Sequence, residues 1–257
     1  KVTYVDMVGF DAKIVFSSSA SSVFIHTGDD SEITIKGVGF EAQRTSTFLN
    51  TVYLVDYELM CNAKKLHITG CSIDGALRVN YNNDSTLNPF VEEFGIRDIL
   101  IDGNYISTTI SFLYIANMQF KKMSYTNNRV HNYYYNQMLM LIDNDHPFIQ
   151  EMYDYPNLLT VSDNIVTYSD DHWSTPNGET ALYAGFCLTE FNKTIFKNNS
   201  FDGLKSKRTV GGGSDASAYW FYMGSKDTIC TGNIVRNNFN FGASIGNNAC
   251  VKQKLAR

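Results

Sequence analysis

The chain has 257 residues, 44% of them hydrophobic and 18% charged, with a formal net charge of −5. With no basic stripe to neutralise phosphates, nucleic acid is excluded as the main partner. No apolar run is long enough to span a membrane, and the five cysteines lack the C-x-x-C or Cys/His spacing of a zinc site.

In chain order, residues 13–16 read as a first strand and 23–25 as a short apolar run. Ile33/Ile35/Val38/Phe40 then introduce a spacing, Φ-x-Φ-x-x-N-x-Φ with Φ apolar and inward, in which valine stands at the N position. The run 52–54 precedes a second copy, Leu66/Ile68/Cys71/Ile73, and the pattern is complete at Ile99/Ile101/Asn104/Ile106. Apolar runs at 112–115 and 138–142 precede Met123/Tyr125/Asn128/Val130 and Leu159/Val161/Asn164/Val166. Those at 182–188 and 219–223 precede Thr194/Phe196/Asn199/Phe201 and Thr228/Cys230/Asn233/Val235.

The copies start at 33, 66, 99, 123, 159, 194 and 228, a period of 24 to 36 residues. Such a period marks a solenoid, whose units bury their apolar faces by stacking on neighbours. Each copy holds a short strand of period two, a tight bend and a second inward residue. No segment has the 3.6-residue period of helical repeats. Asparagine at the bend tolerates the left-handed backbone conformation, and its amide can bond the same position one rung away. Three strands per rung, with the third connection the longest, predict an all-β fold: a right-handed parallel β-helix of seven to eight rungs with an asparagine ladder. A β-sandwich would need five asparagines to fall in phase by accident.

A stack has no internal boundary, so residues 1–257 are expected to form one domain. The start at Lys1, with a strand already under way at 13–16, reads as an excised piece of a longer chain. Cys71 and Cys230 face the stack, Cys187 lies in an apolar strand, and Cys61 and Cys250 sit near turns. The sequons at Asn83, Asn192 and Asn198 are of the kind asparagine-rich turns create by chance.

The asparagine ladder and the three-strand rung resemble the pectate-lyase-like superfamily of right-handed parallel β-helices. That superfamily includes polysaccharide lyases, glycoside hydrolases and phage tailspikes. The resemblance covers nearly the whole chain and is one of architecture. It implies that the asparagine joins the second and third strands, and that the apolar run before each motif is the first strand. It also implies a carbohydrate groove along the outer face of the first sheet, flanked by long turns. The catalytic signatures of polygalacturonase-type hydrolases are not reproduced. Asp29-Asp30 and Asp170-Asp171 supply D-D pairs, but G-H-G, R-I-K and the lyase-type R-x-P-x-x-R are absent from the sequence.

Long third turns are expected at 74–89, 167–180 and 202–217, and a long first turn at 143–157; loops of this length in a compact domain are usually functional. They carry Asp143, Asp145 and His146, then Asp170, Asp171, His172 and Trp173, then Lys205, Lys207 and Arg208. First and third turns flank opposite edges of the first sheet, so these groups can converge on one groove. Paired carboxylates there would serve a glycoside hydrolase. A base opposite Arg/Lys or carboxylate-bound Ca²⁺ would serve a lyase acting beside a uronate carboxyl. The bland alternative is that Asp and Asn populate turns because they bond their own backbone.

Aromatic residues make up 14% of the chain. Tyr114, Trp173, Tyr183, Tyr219, Trp220 and Tyr222 are the candidate sugar-binding plates, since an apolar ring with a polar tip suits sugar faces. Leu100, Ile195 and Ile229 take outward positions on the second sheet, a contact surface or a trimer seam. The expectation is an extracellular, cell-surface or virion protein that binds and cleaves a polysaccharide as a lyase or glycoside hydrolase. The alternative is a tailspike- or adhesin-type glycan binder, with or without depolymerase activity.

Overall fold

The computed structural model describes residues 4–16, 23–26, 32–42, 57–60, 63–74, 77–82, 97–108, 113–116, 120–132, 140–143, 158–168, 186–189, 193–202, 217–222, 227–236, 241–245 and 251–254. Every regular element among them is a strand. The chain opens with β1 (Tyr4–Phe16), β2 (Val23–His26) and β3 (Glu32–Ala42). Triplets follow: β4 (Tyr57–Met60), β5 (Lys65–Thr69) and β6 (Ser72–Asp74), then β7 (Leu77–Asn82), β8 (Arg97–Asp102) and β9 (Tyr105–Thr108). The next are β10 (Leu113–Ala116), β11 (Phe120–Thr126) and β12 (Arg129–Asn132), then β13 (Met140–Asp143), β14 (Leu158–Ser162) and β15 (Ile165–Tyr168). The last triplets are β16 (Phe186–Thr189), β17 (Lys193–Lys197) and β18 (Ser200–Asp202), then β19 (Ser217–Tyr222), β20 (Asp227–Thr231) and β21 (Ile234–Arg236). β22 (Phe241–Ile245) and β23 (Val251–Lys254) follow.

All pairings are parallel, and each strand pairs with its counterpart one rung away. An eight-stranded sheet, β2-β4-β7-β10-β13-β16-β19-β22, forms the first face. A 15-stranded sheet forms the other two and turns its corner within β3, whose early residues pair with β5 and whose late residues pair with β6. From that corner β5-β8-β11-β14-β17-β20-β23 runs down the second face and β6-β9-β12-β15-β18-β21 down the third. Parallel neighbours need a long crossover, and here the other two faces supply it. The result is a right-handed parallel β-helix, the hand that parallel crossovers overwhelmingly take.

The inward positions of the repeat are the core. Ile33, Leu66, Ile99, Met123 and Leu159 are buried in one column, and Ile35, Ile68, Ile101, Tyr125, Val161 and Phe196 in the next. Past the bend, Phe40, Ile73, Ile106, Val130, Val166 and Phe201 are buried as well. Phe196 and Phe201 face each other across the corner with ring centroids 6.3 Å apart and planes within 9°. Each such side chain contributes about 1.5–3 kcal/mol by leaving water.

At the bend the asparagines form one continuous ladder. The Nδ2 of Asn104 donates to Oδ1 of Asn128 at 3.0 Å, Asn128 to Asn164 at 3.1 Å, Asn164 to Asn199 at 2.8 Å, and Asn199 to Asn233 at 2.9 Å. Each Oδ1 also accepts the backbone N–H of the preceding asparagine, and each Nδ2 also reaches a strand carbonyl of that rung. Polar groups that a sharp corner would leave buried and unpaired are thereby satisfied.

Two expectations are corrected. The left-handed residue is not the ladder asparagine but the one before it: Gly103, Asn127, Asp163, Asn198 and Gly232 carry φ of 56° to 68°. The ladder residue must aim its amide inward along the stack, so its neighbour makes the turn. The second correction concerns 74–89, expected as a long third turn. Residues 77–82 form β7 in the first face, and the long connection lies between β7 and β8. Leu77-Arg78-Val79-Asn80-Tyr81-Asn82 alternates apolar and polar residues with period two, which suits a strand. The first-face strand before β5 is likewise 57–60; the run 52–54 lies outside the described residues.

Candidate functional site

The first face is a continuous parallel sheet, and its register fixes which residues share a position. Asn80, Tyr114, Leu141, Cys187, Trp220 and Ser244 form one column across six strands. Val79, Leu113, Met140, Phe186 and Tyr219 form the adjacent, largely apolar column. Adjacent positions of a strand belong to opposite faces. The Tyr114–Trp220 column therefore shares its face with Asp143, two positions beyond Leu141, and with Tyr222, two beyond Trp220. Tyr219 has the parity of the apolar column. Tyr114 and Trp220 are three strands apart, about 14 Å along the stack.

The strand ends also set the flanks. In a parallel sheet all strands end at one edge and begin at the other. Asp143 is the last residue of β13, at the C-terminal edge, where the chain leaves for β14. Asp145 and His146 follow in that connection. β16 and β19 are entered at the opposite edge, after the connections from β15 and β18. The first of these carries Asp170, Asp171, His172, Trp173 and Tyr183, the second Lys207 and Arg208. All nine residues lie outside the described residues. Of the expected site residues, the structure aligns Tyr114, Asp143, Tyr219, Trp220 and Tyr222 on three strands of one sheet.

Acid–base groups elsewhere are described in more detail. At the C-terminal end of the third face, Ser107, His131, Thr167 and Asp202 align on consecutive strands. His131 Nδ1 lies 2.7 Å from Thr167 Oγ1, and burial holds its imidazole below the ordinary histidine range. Ser107 is buried, and its hydroxyl has no hydrogen-bond partner among the described residues. Each of these residues stands three positions after its ladder asparagine, a phase visible in the sequence but not singled out by residue type. On the second face, burial and then the neighbouring Lys65 lower the pKa of His67. Glu32, Lys65, Asp98 and Lys122 alternate in sign along one column, with Lys65 Nζ 3.5 Å from Glu32 Oε2. Being partly exposed, such a pair contributes at most about 1 kcal/mol.

Among the described residues, no group of three or more His, Cys, Asp or Glu is placed to hold a metal ion. They contain no helix long and apolar enough to cross a membrane. No protein-family model, no curated protein and no solved structure matches the chain.

Proposed function

We propose that this β-helix binds a polysaccharide along its first face and cleaves it, as a lyase or a glycoside hydrolase. The observation that carries the reading is the register column joining Tyr114 to Trp220, on the same face as Asp143 and Tyr222. A chain of sugars lying along such a column would meet aromatic plates some three strands apart, with the Asp143 carboxylate from a strand end nearby. The connections at both edges carry further acids, bases and cations: Asp145 and His146 on one side, Asp170, Asp171, His172, Lys207 and Arg208 on the other. Two carboxyls about 5–9.5 Å apart across the sugar would support hydrolysis. One base opposite a cation, or opposite carboxylate-bound Ca²⁺, would support elimination.

A second reading, a surface-fibre or adhesin-type glycan binder that assembles as a homotrimer, is favoured by one observation. Ile229 is 39% exposed on the second face, in the same column as the half-buried Leu100 and Ile195. A polysaccharide screen following new reducing ends together with absorbance of unsaturated uronates separates the readings. Reducing ends alone identify a hydrolase, and both signals together a lyase. Binding with neither, from a protein of trimeric mass, identifies the fibre reading. Absence of both binding and cleavage on every polysaccharide contradicts the proposal.

A further inference from the structure

The third face carries a second periodic row that the groove does not use. Tyr105, Arg129, Ile165, Ser200 and Ile234 are aligned on five consecutive strands. Tyr105, Ile165 and Ile234 are 47%, 48% and 46% exposed, three of the four large apolar side chains exposed among the described residues. Such residues scattered singly need no explanation, but these recur at every second rung of one column. The gaps between them hold the polar Arg129 and Ser200. Two rungs span about 9.6 Å, close to the length of one disaccharide in an extended β-linked chain.

The flank of this row fits the same occupant. Two residues before Arg129, Ile165 and Ser200 stand Asn127, Asp163 and Asn198, all exposed at the bend. Their side chains are held in place: Asn198 Nδ2 donates to Asp163 Oδ1 at 3.1 Å, and Asn127 Nδ2 to Asp102 Oδ1 at 2.8 Å. Each amide oxygen and each second carboxylate oxygen adds capacity beyond that bond, suited to sugar hydroxyls. Charges of both signs are interspersed here, as Arg129 and Asp163 show, so no single-sign field selects a polyanion or polycation. A sheet face whose apolar contacts repeat at fixed spacing matches a stiff repeating polymer better than a globular partner, whose contact patch need not repeat.

We propose that the third face, along Tyr105, Ile165 and Ile234, docks an uncharged, extended β-linked polysaccharide lying parallel to the helix axis. The inference takes the class of ligand from the glycan reading above but places it on a different surface. The row would hold the protein on an insoluble polymer while the first face engages a single chain.

The test is depletion of the full chain from solution by microcrystalline cellulose, chitin, mannan and insoluble xylan. The protein is expected to bind at least one, and Tyr105→Ala and Ile165→Lys to weaken that binding at least tenfold while melting as cooperatively as the parent. Lys193→Ala, exposed on the second face, should leave depletion unchanged. No depletion by any of the four polymers overturns the inference, as does full binding by Ile165→Lys. If Ile165→Lys instead converts an oligomer to a monomer, the row is an interface between copies and the inference is wrong. Loss of binding in Trp220→Ala but not in Ile165→Lys would sink this surface while leaving the first-face groove intact.

Discussion

Asn164 occupies the middle of the ladder, and its side chain serves both neighbouring rungs. Its Oδ1 accepts from the backbone N and the Nδ2 of Asn128, while its own Nδ2 donates to Tyr125 O at 3.0 Å and to Asn199 Oδ1. Leucine has the same branched shape, though a larger volume, and none of these bonds. Asn164→Leu is expected to leave buried backbone groups unpaired and to cost about 1–3 kcal/mol for each group that finds no water. Asn233, half-buried at the far end of the ladder, should cost less when replaced in the same way. Urea unfolding of the two variants side by side checks the order. A second expectation at this scale concerns pH. Burial lowers the pKa of both His67 and His131 in the folded protein. The unfolded chain then takes up protons first, so stability is complete above about pH 6.5 and declines as pH falls through the lower folded-state values. Asp163, held low by hydrogen bonds from Ser162 and then Asn198, acts in a separate window: its contribution persists above about pH 3.9 and fades below it. Thermal melts between pH 7.5 and 5 should show a falling Tm, with a shallower slope in His131→Gln.

The bend is the element where sequence and structure agree most closely. Two positions separate the inward residue of one strand from the ladder residue, and two more reach the inward residue of the next strand. With no room for insertion, the phase was readable in every copy from Ile33 to Val235. Backbone bonds such as Arg129 N to Asn104 O at 2.8 Å carry the parallel pairing straight through the corner. The first face was less legible because its connections vary in length; β7, with polar residues at alternate positions, resembled a turn. The left-handed residue lies one position before the asparagine that the repeat points to, since asparagine suits both the ladder and the turn. Gly232 and Gly103 illustrate the distinction. A Cβ at Gly232 would meet Asn198 Oδ1, whereas one at Gly103 has open space. Gly232→Ala should therefore lower stability more than Gly103→Asn, which places a residue tolerant of the left-handed region there. At the ladder's near end, Cys71 donates its Sγ–H weakly to Ile35 O at 3.6 Å, where Asn104 gives a full amide bond to Ile68 O at 2.9 Å. Cys71→Asn is expected to extend the ladder by one rung and stabilise the protein by about 0.5–2 kcal/mol, read as a raised Tm. A lower Tm with the fold preserved would show that the smaller thiol is needed there.

As a whole, the molecule is a stack whose rungs contact only their neighbours, so its length and its surface rows follow from repetition. The candidate site was legible in part. Tyr114, Asp143 and Trp220 lie on regular strands, where register brings Tyr114 into line with Trp220 over more than 100 residues of sequence. The remaining acids and bases belong to connections, whose geometry no period specifies, so their convergence rests on the edges from which they depart. The chain contains two tryptophans, Trp173 and Trp220, and Trp220 stands in the first-face column on which the proposed glycan reading rests. Tryptophan emission is therefore the most direct report on the glycan reading. During titration with fragments of a polysaccharide that binds by calorimetry, emission should change in intensity or wavelength and saturate at the same concentration, with most of the change lost in Trp220→Phe. Emission that stays constant while calorimetry records saturable binding would contradict the first face as the glycan-binding surface.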